Sequence, residues 1–242
     1  MSCFVYNSTL LNRQLKKLTP LFYQGMKSVL TVEELSYARN NRVLFKQLTF
    51  QLFPKQILHI VGANGSGKTT LLQILTGLRT PLRGKVMWNG IAIDKNNINF
   101  TDNLLYVNHR LGMKSALSPT ENLYLCLARR NLIHKQSKRK AIHTIHQILD
   151  QLDLKDCADT LLTHLSAGQQ RRLSLAKLLL IKADCWILDE PFTSLDSAGI
   201  AFLSSLMEKQ SARGGAIVFS SHQAMYSFSL EIKKIFLDTK SC

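Results

Sequence analysis

A glycine-rich stretch that ends in a lysine and a threonine is the part of this sequence whose residue types and spacing most clearly predict chemistry. It fits the pattern G-x-x-x-x-G-K-[ST], with Gly62 followed by four residues and then by Gly67, Lys68 and Thr69. Glycines in such a loop let backbone N–H groups turn toward phosphate oxygens, where a Cβ would obstruct the approach. The lysine can reach the β- and γ-phosphates of a nucleotide, and the threonine hydroxyl can hold Mg²⁺. The residues predicted to bind the nucleotide here are Gly62, Ala63, Asn64, Gly65, Ser66, Gly67, Lys68, Thr69 and Thr70.

The segments on either side of this loop are the elements that must position it. Residues 57–61 form a continuous apolar run broken only by a histidine, which predicts a buried strand, and residues 70–75 predict a helix. The partial positive charge at the N-terminus of that helix favours an anion. A glycine-rich turn with a chance lysine is the alternative, and the strand-loop-helix context argues against it.

Two adjacent carboxylates supply the second chemical signal. Asp189 and Glu190 directly follow the apolar residues 185–188, which predict a short buried strand. An acid at the end of a strand beside a phosphate loop can hold Mg²⁺ directly or through water, so Asp189 is predicted as a metal ligand together with Thr69. Glu190 is predicted to act as general base on an attacking water. The alternative is a strand that ends in a solvated acidic turn.

A second anion site is predicted far along the chain from the first. Ser166 and Gly168 open a helix that runs to about Ile181, and a helix N-terminus favours an anion. Two such sites exceed what one triphosphate needs. A head-to-tail dimer, in which each subunit completes the site of the other, is the arrangement that uses both.

These motifs together resemble those of ATP-binding-cassette (ABC) ATPases, and the resemblance extends from about residue 29 to the end of the chain. Residues 165–169 (Leu-Ser-Ala-Gly-Gln) resemble the family signature L-S-G-G-Q, with alanine in place of the first glycine. Residues 191–196 resemble the D-loop, whose acid is Asp196. His222 resembles the switch histidine, and Tyr37 falls where the family stacks an aromatic ring on adenine.

The resemblance implies a fold and a division of roles. The fold is an α/β P-loop NTPase with an N-terminal antiparallel β subdomain and an inserted α-helical subdomain at about residues 112–165. The ligands implied are ATP and Mg²⁺, and the catalytic residues implied are Glu190, His222 and Lys68. Ser166 and Gly168 would act on the ATP of a partner subunit in a homodimer, and Asp196 would link the two sites.

One family motif departs from its usual residue. The family carries a glutamine after the strand that ends near Val107, where it senses Mg²⁺ and couples to the membrane subunit. This sequence has Arg110 at that place, and no glutamine occurs between Gln73 and Gln136. Because a guanidinium beside Mg²⁺ is electrostatically poor, we expect Arg110 to point away from the metal or to alter coupling.

A finer resemblance is to the ATP-binding subunits of cytochrome c biogenesis haem exporters, the CcmA type. Residues 165–172 and 186–193 carry it, together with residues 109–114, where the family reads His-Gln-Pro-Gly-Ile-Lys and this chain departs at Arg110 and Leu111. It implies a peripheral subunit at the cytoplasmic face of a bacterial inner membrane. Such a subunit docks on an integral membrane subunit and energises haem delivery to c-type cytochromes.

Composition narrows the class of protein further. The chain of 242 residues carries 31 Lys and Arg against 16 Asp and Glu, a net charge of +15 that suggests an anionic partner. No apolar run reaches the ~18 residues needed to span a bilayer, and basic residues interrupt the only candidate leader segment. The scattered cysteines predict reduced thiols. We therefore expect a cytoplasmic protein that reaches the membrane through its partner.

Two basic segments leave alternatives open. Residues 1–27 predict an extension that is disordered or lies at a membrane interface, ahead of an ABC domain at 28–242. Between Arg129 and Lys140 six of twelve residues are basic and none is acidic. Anionic lipid or nucleic acid could bind this run, but a solvated linker is preferred, and the absence of interleaved aromatic residues weakens the nucleic-acid interpretation. The preferred interpretation, a transporter subunit, expects no nucleic-acid partner. The alternatives that remain open are the ATPase subunit of another ABC exporter, a nucleic-acid-associated ABC ATPase and a nucleotide-sensing scaffold.

Overall fold

The described part of the chain divides into two compact units. The first takes the described residues up to Tyr106, then Asp184–Pro191, and the described residues from Met207 onward; the second takes those of Val107–Ala183 and Phe192–Leu206. The helical insertion expected at 112–165 falls inside the second unit. The computed structural model describes residues 27–93, 102–108, 112–130, 132, 137–222 and 231–237.

An antiparallel sheet opens the first unit, as the sequence predicts. Strands β1 (Leu30–Arg39) and β2 (Arg42–Leu52) form a hairpin, and β4 (Arg83–Trp88) pairs with the other edge of β1. A second hairpin joins β4 to β5 (Ile91–Ala92), with Trp88 opposite Ile91. Asn89 and Gly90, a pair typical of tight hairpin turns, connect these two strands.

A parallel sheet of five strands forms the centre of the same unit; only Val107, the last residue of one of its strands, is assigned to the second unit. Its strand order is β6-β7-β8-β3-β9. The strands are β3 (Ile57–Val61), β6 (Leu104–Val107), β7 (Cys185–Leu188), β8 (Ala216–Ser221) and β9 (Ile232–Phe236). Every residue of β3, β7 and β8 is buried, which explains why their sequences are mostly apolar and do not alternate between apolar and polar residues. The exceptions are His59 and the two serines that end β8. Because β3, β7 and β8 are parallel, their carboxyl ends lie at one edge of the sheet.

Helix α1 (Lys68–Leu75) follows β3 and buries an apolar face that includes Leu71, Leu72 and Leu75. These side chains belong to one core with Leu58 and Ile60 of β3. Burying a leucine or isoleucine side chain is worth about 1.5–3 kcal/mol. The core therefore holds the strand and the helix that flank the glycine loop against each other.

The second unit is helical. It contains α2 (Pro119–Arg129), α3 (Lys138–Gln151) and α4 (Ala167–Leu180), and α5 (Ser197–Ala212) begins in it. Its own core joins Leu123, Ile145, Leu149 and Leu173. A capping box opens α2, since the Ser118 hydroxyl accepts from Glu121 N and the Glu121 carboxylate accepts from Ser118 N.

No helix in the described part of the chain is long and apolar enough to cross a membrane. Cys126, Cys157 and Cys185 are free thiols. Burial raises the pKa of the Cys185 thiol to about 12.

Candidate functional site

The glycine loop connects β3 to α1, and its glycines are required by geometry at three positions. Gly65 has φ +81° and Gly67 has φ +101°, in the left-handed region that L side chains rarely adopt. A Cβ on Gly62 would collide with Ser66 Oγ and come within 2.8 Å of the Leu237 carbonyl oxygen. A Cβ on Gly67 would come within 3.0 Å of Leu44 Cβ on β2. The loop is therefore packed between the two sheets of the first unit.

Lys68, the first residue of α1, turns its side chain back over the loop. Its ammonium donates to the carbonyl oxygens of Gly62 at 2.7 Å and Ala63 at 3.2 Å. It also lies 3.1 Å from Glu190 Oε1, and its side chain is 6% exposed. A positive charge is thus held at the mouth of the loop by two carbonyls and one carboxylate.

Thr69 and Asp189, far apart in sequence, are in direct contact. The Thr69 hydroxyl donates to Asp189 Oδ2 at 2.8 Å, and Asp189 is fully buried. The contact follows from topology, because β7 ends at the same sheet edge as β3. The two predicted metal ligands therefore lie side by side.

Ser220, the fifth residue of β8, bonds to both acidic residues at once. Its hydroxyl donates to Asp189 Oδ1 at 2.7 Å and accepts from the Glu190 backbone N–H at 2.9 Å. Leu188 of β7 pairs with Phe219 of β8, so the register places Ser220 beside the first residue after β7. No motif of the sequence singles out Ser220. The signal that could have found it is the parallel pairing of the two strands.

Glu190 makes contacts on two sides. Oε1 faces the Lys68 ammonium, and Oε2 lies 3.4 Å from His222 Nδ1. Its backbone has φ +48°, which is uncommon for a residue that is not glycine. His222 is half exposed, whereas Glu190 is 18% exposed. The carboxylate is therefore positioned by a strained turn and by two cationic or polar neighbours.

Three observations indicate that this loop can bind a nucleoside triphosphate together with Mg²⁺. The buried Ser66 hydroxyl has no hydrogen-bond partner within the described part of the chain, so it is available to a ligand. No side chain caps the N-terminus of α1, and no acidic residue stands in its first turn. The hydroxyl and carboxylate oxygens of Thr69 and Asp189 are the hard ligands that Mg²⁺ prefers.

Two buried groups near the loop are neutral. Burial lowers the pKa of His59 to about 3, with further lowering by Lys234 and Lys68. Its ring stacks on Phe219 with centroids 4.2 Å apart. Burial, with a smaller effect of the Asp189 charge, raises the pKa of the Tyr106 hydroxyl. That hydroxyl, which sequence analysis also missed, therefore keeps its proton beside the acidic residues.

Tyr37 lies on β1, opposite Phe45 in the hairpin with β2. Its hydroxyl accepts from Arg79 Nη1 at 2.7 Å, and the Arg79 guanidinium lies 5.5 Å from its ring centre. Leu44, the neighbour of Phe45, is the residue that packs against Gly67. The hairpin that carries the predicted adenine-binding residue therefore contacts the loop.

The remaining predicted residues belong to the second unit. The exposed Ser166 caps α4, where its hydroxyl accepts from Gln169 N and its own N–H donates to Gln169 Oε1. A Cβ on Gly168 would meet only Ser166 Oγ, at 4.0 Å, so the space in front of this residue is open. Asp196 Oδ1 accepts from Gly199 N at 2.7 Å at the start of α5.

The structure therefore brings Lys68, Thr69, Asp189, Glu190 and His222 together in the first unit, and places Ser166, Gly168 and Asp196 in the second. Arg110 and the extension at 1–26 lie outside the described residues. Of the basic run, Arg129 ends α2 and Lys138–Lys140 form the exposed first turn of α3.

Comparison with known proteins gives a consistent picture. Residues 45–193 match the family described as ABC transporter. A protein of Tatumella citrea named "Cytochrome c biogenesis ATP-binding export protein CcmA" is 39% identical over 207 residues, which is 86% of this chain and 95% of the relative. A protein of the same name from Methylococcus capsulatus is 39% identical over 196 residues, covering 81% of this chain and 92% of the relative.

Solved structures agree on the fold. A structure described as the ATP binding subunit of an ABC transporter has a TM-score of 0.71 at 25% identity, covering 81% of this chain and 80% of its own. A putative ABC transporter ATP-binding protein from Pyrococcus furiosus has a TM-score of 0.70 at 22% identity, covering 86% of this chain and 96% of its own. The α/β P-loop architecture with an antiparallel β subdomain and a helical insertion, predicted from the sequence, is confirmed.

Proposed function

We propose, since the chain belongs to the ABC transporter family, that it is the ATP-hydrolysing subunit of a transporter complex for cytochrome c biogenesis. The observation that carries this proposal is the 39% identity to export proteins named for cytochrome c biogenesis over 95% of the relative's length. Within the complex, this chain energises a separate integral membrane subunit that serves haem export or the release of a haem chaperone.

The geometry of the first unit supports the hydrolytic role. Lys68 and the loop amides bind the β- and γ-phosphates of the substrate ATP, and Thr69 and Asp189 are the residues that would hold Mg²⁺. Mg²⁺, when bound, supplies positive charge that offsets the charge developing on the phosphates.

Glu190 takes a proton from the attacking water while the water oxygen forms a bond to the γ-phosphorus. The bond from that phosphorus to the β–γ bridging oxygen breaks, and ADP leaves. His222, 3.4 Å from Glu190 Oε2, orients this carboxylate and contacts the γ-phosphate. In the arrangement described here Glu190 is also paired with Lys68, so γ-phosphate binding must compete for the lysine ammonium.

A homodimer is the second part of the proposal. The exposed N-terminus of α4, with Ser166 and the open space at Gly168, binds the γ-phosphate held by the loop of a partner subunit. Asp196 links the two sites. ATP binding then closes two subunits on each other, hydrolysis opens them, and Tyr37 stacks on the adenine.

The location follows from the partner. We place the chain at the cytoplasmic face of a bacterial inner membrane, held there by its integral membrane subunit and without a nucleic-acid partner. Arg110 stands where the family uses glutamine to couple to that subunit. We propose that it alters coupling, and Arg110→Gln with unchanged ATPase stimulation by the membrane subunit would contradict this.

Co-purification tests the biological assignment. A tagged chain would be purified in detergent from membranes of its source cells, with the untagged chain carried through the same purification as the control. We expect a membrane subunit and haem-handling proteins of cytochrome c maturation to be recovered with the tagged chain. Recovery of a drug or lipid exporter subunit would overturn the assignment but leave the ATPase role. Recovery of nucleic acid in a salt-sensitive complex would favour the nucleic-acid-associated class.

A further inference from the structure

The fully buried hydroxyl of Ser220 occupies a place in this site that the motifs of the sequence do not account for. It is the hydrogen-bond donor to the predicted metal ligand and the acceptor for the backbone of the predicted general base. Ser220 is 0% exposed, and its hydroxyl is hydrogen-bonded to the Asp189 carboxylate and to the Glu190 backbone N–H. Its effect on hydrolysis would therefore pass through Asp189 and Glu190.

We propose that Ser220 is a positioning residue for ATP hydrolysis, which locks the carboxylate of Asp189 and the backbone of Glu190 into one rigid unit. The inference rests on the proposed roles of these two acidic residues. The inference adds Ser220 to the site as the residue that couples the position of Asp189 to that of Glu190.

Two hydroxyl groups donate hydrogen bonds to the carboxylate of Asp189. Its Oδ1 accepts from Ser220 and its Oδ2 accepts from Thr69, so each carboxylate oxygen is held by a hydroxyl donor. Loss of the Ser220 donor removes the hydroxyl that holds Oδ1. A ligand carboxylate whose outer hydrogen bond is lost binds its metal typically 10- to 100-fold more weakly.

The backbone of Glu190 is held by Ser220 in an unfavourable conformation. Its φ of +48° is a conformation that costs free energy, of order 1 kcal/mol or more for a residue other than glycine, and persists only where surrounding contacts hold it. The bond from Glu190 N to Ser220 Oγ, 2.9 Å long, is such a contact. Without it the peptide can relax, and the carboxylate moves away from the water that it must deprotonate.

Ser220→Ala tests the inference in the full chain, with steady-state ATP hydrolysis, ATP affinity and the Mg²⁺ concentration for half-maximal rate as readouts. We expect kcat to fall about 10- to 100-fold, which corresponds to the loss of one hydrogen bond to a charged group. We also expect a higher Mg²⁺ requirement and little change in ATP affinity. Ser220→Thr, which keeps the hydroxyl, should restore most of the rate and the normal Mg²⁺ requirement.

Ser211→Ala is the matched control. Ser211 is also a buried serine of the first unit, 2% exposed, and its hydroxyl donates to the Lys55 carbonyl at 2.6 Å, away from the acidic residues. It should cost similar stability but leave kcat and the Mg²⁺ requirement unchanged. Equal loss of activity in both variants would assign Ser220 a merely structural role and overturn the inference.

Two further outcomes keep the test decisive. If Ser220→Ala does not fold, Ser220→Cys keeps the volume with a weaker donor, and an unchanged kcat in that variant would overturn the inference. Glu190→Gln is measured in parallel. If the unmodified chain does not hydrolyse ATP, the proposed function fails. If Glu190→Gln hydrolyses ATP normally, the role of Glu190 as base fails, and with it the ground for the positioning role. If Glu190→Gln is inactive while Ser220→Ala is fully active, only the positioning role fails.

Discussion

The Lys68 ammonium and the Glu190 carboxylate form an ion pair of 3.1 Å at the mouth of the phosphate loop. The two residues are far apart in sequence and meet because β3 and β7 end at the same edge of the parallel sheet. The lysine predicted to bind phosphate is thus held by the carboxylate predicted to act on water. Both residues are largely buried, so water screens this pair less than it would a surface pair.

Removing the Lys68 charge should weaken nucleotide binding selectively. We expect Lys68→Ala to lower ATP affinity about 10- to 100-fold, the cost of one or two charge-assisted hydrogen bonds, and ADP affinity by less, because the lysine reaches the γ-phosphate. Titration with fluorescent ATP and ADP analogues measures both. Lys85→Ala removes an equal charge from an exposed pair with Glu33, which is worth little, and should bind both nucleotides normally. Equal weakening for ATP and ADP would contradict the γ-phosphate contact.

Neutralising Glu190 should separate hydrolysis from binding. We expect Glu190→Gln to hydrolyse ATP about 10²–10⁴-fold more slowly, because the amide cannot accept the water proton. ATP affinity should be retained or increased, since Lys68 loses its competing carboxylate. Single-turnover hydrolysis with radiolabelled ATP gives the rate of the chemical step. A variant with normal turnover would remove Glu190 from the role of base.

The open space at Gly168 offers a test of the dimer. In a Glu190→Gln background, ATP with Mg²⁺ should double the mass of the 27.4 kDa chain in light scattering. Adding Gly168→Asp should abolish this dimer, because the new carboxylate would repel the γ-phosphate of the partner subunit. An acidic residue in the first turn of a helix is favourable, so the subunit itself should remain stable.

Gly168→Ala is the control for the dimer. Its methyl group meets only Ser166 Oγ, at 4.0 Å, and carries no charge. It should dimerise nearly as well as the background. Persistence of the dimer in Gly168→Asp would show that α4 does not meet the partner's nucleotide.

The buried His59 predicts a specific acid sensitivity. Its pKa is about 3 in the folded chain, lowered first by burial and then by Lys234 and Lys68, against 6.5 ordinarily. As pH falls below 6.5 the unfolded chain binds a proton that the folded chain excludes until about pH 3. The free energy of unfolding should therefore decrease, by up to about 1.4 kcal/mol per pH unit.

Urea unfolding of His59→Phe between pH 8 and pH 5 measures this contribution. Phenylalanine can stack on Phe219 but does not titrate, so the variant should lose less stability between pH 7 and pH 5 than the unmodified chain. The difference at pH 8, where the histidine is neutral in both states, isolates the change in packing. Parallel curves for the two chains over the whole range would contradict the prediction.

The sequence alone determined the features that depend on short spacing along the chain. The glycine loop between β3 and α1 is one, since a phosphate-binding turn, a buried strand and a helix each have a local pattern. The Asn-Gly hairpin and the capping box at Ser118 are others, because their hydrogen bonds join residues that are close in sequence. Element ends are indicated less accurately. The helix predicted over residues 70–75 begins at Lys68, because polar residues in a first turn carry no apolar signal.

Only the tertiary structure decided which of these residues meet. The contacts of Lys68 with Glu190, Thr69 with Asp189 and Ser220 with both acidic residues depend on the order and register of parallel strands that are distant in sequence. No local pattern encodes that register. The same reason explains His59, whose type suggests a titrating residue, but whose place in a strand buried along its whole length keeps it neutral.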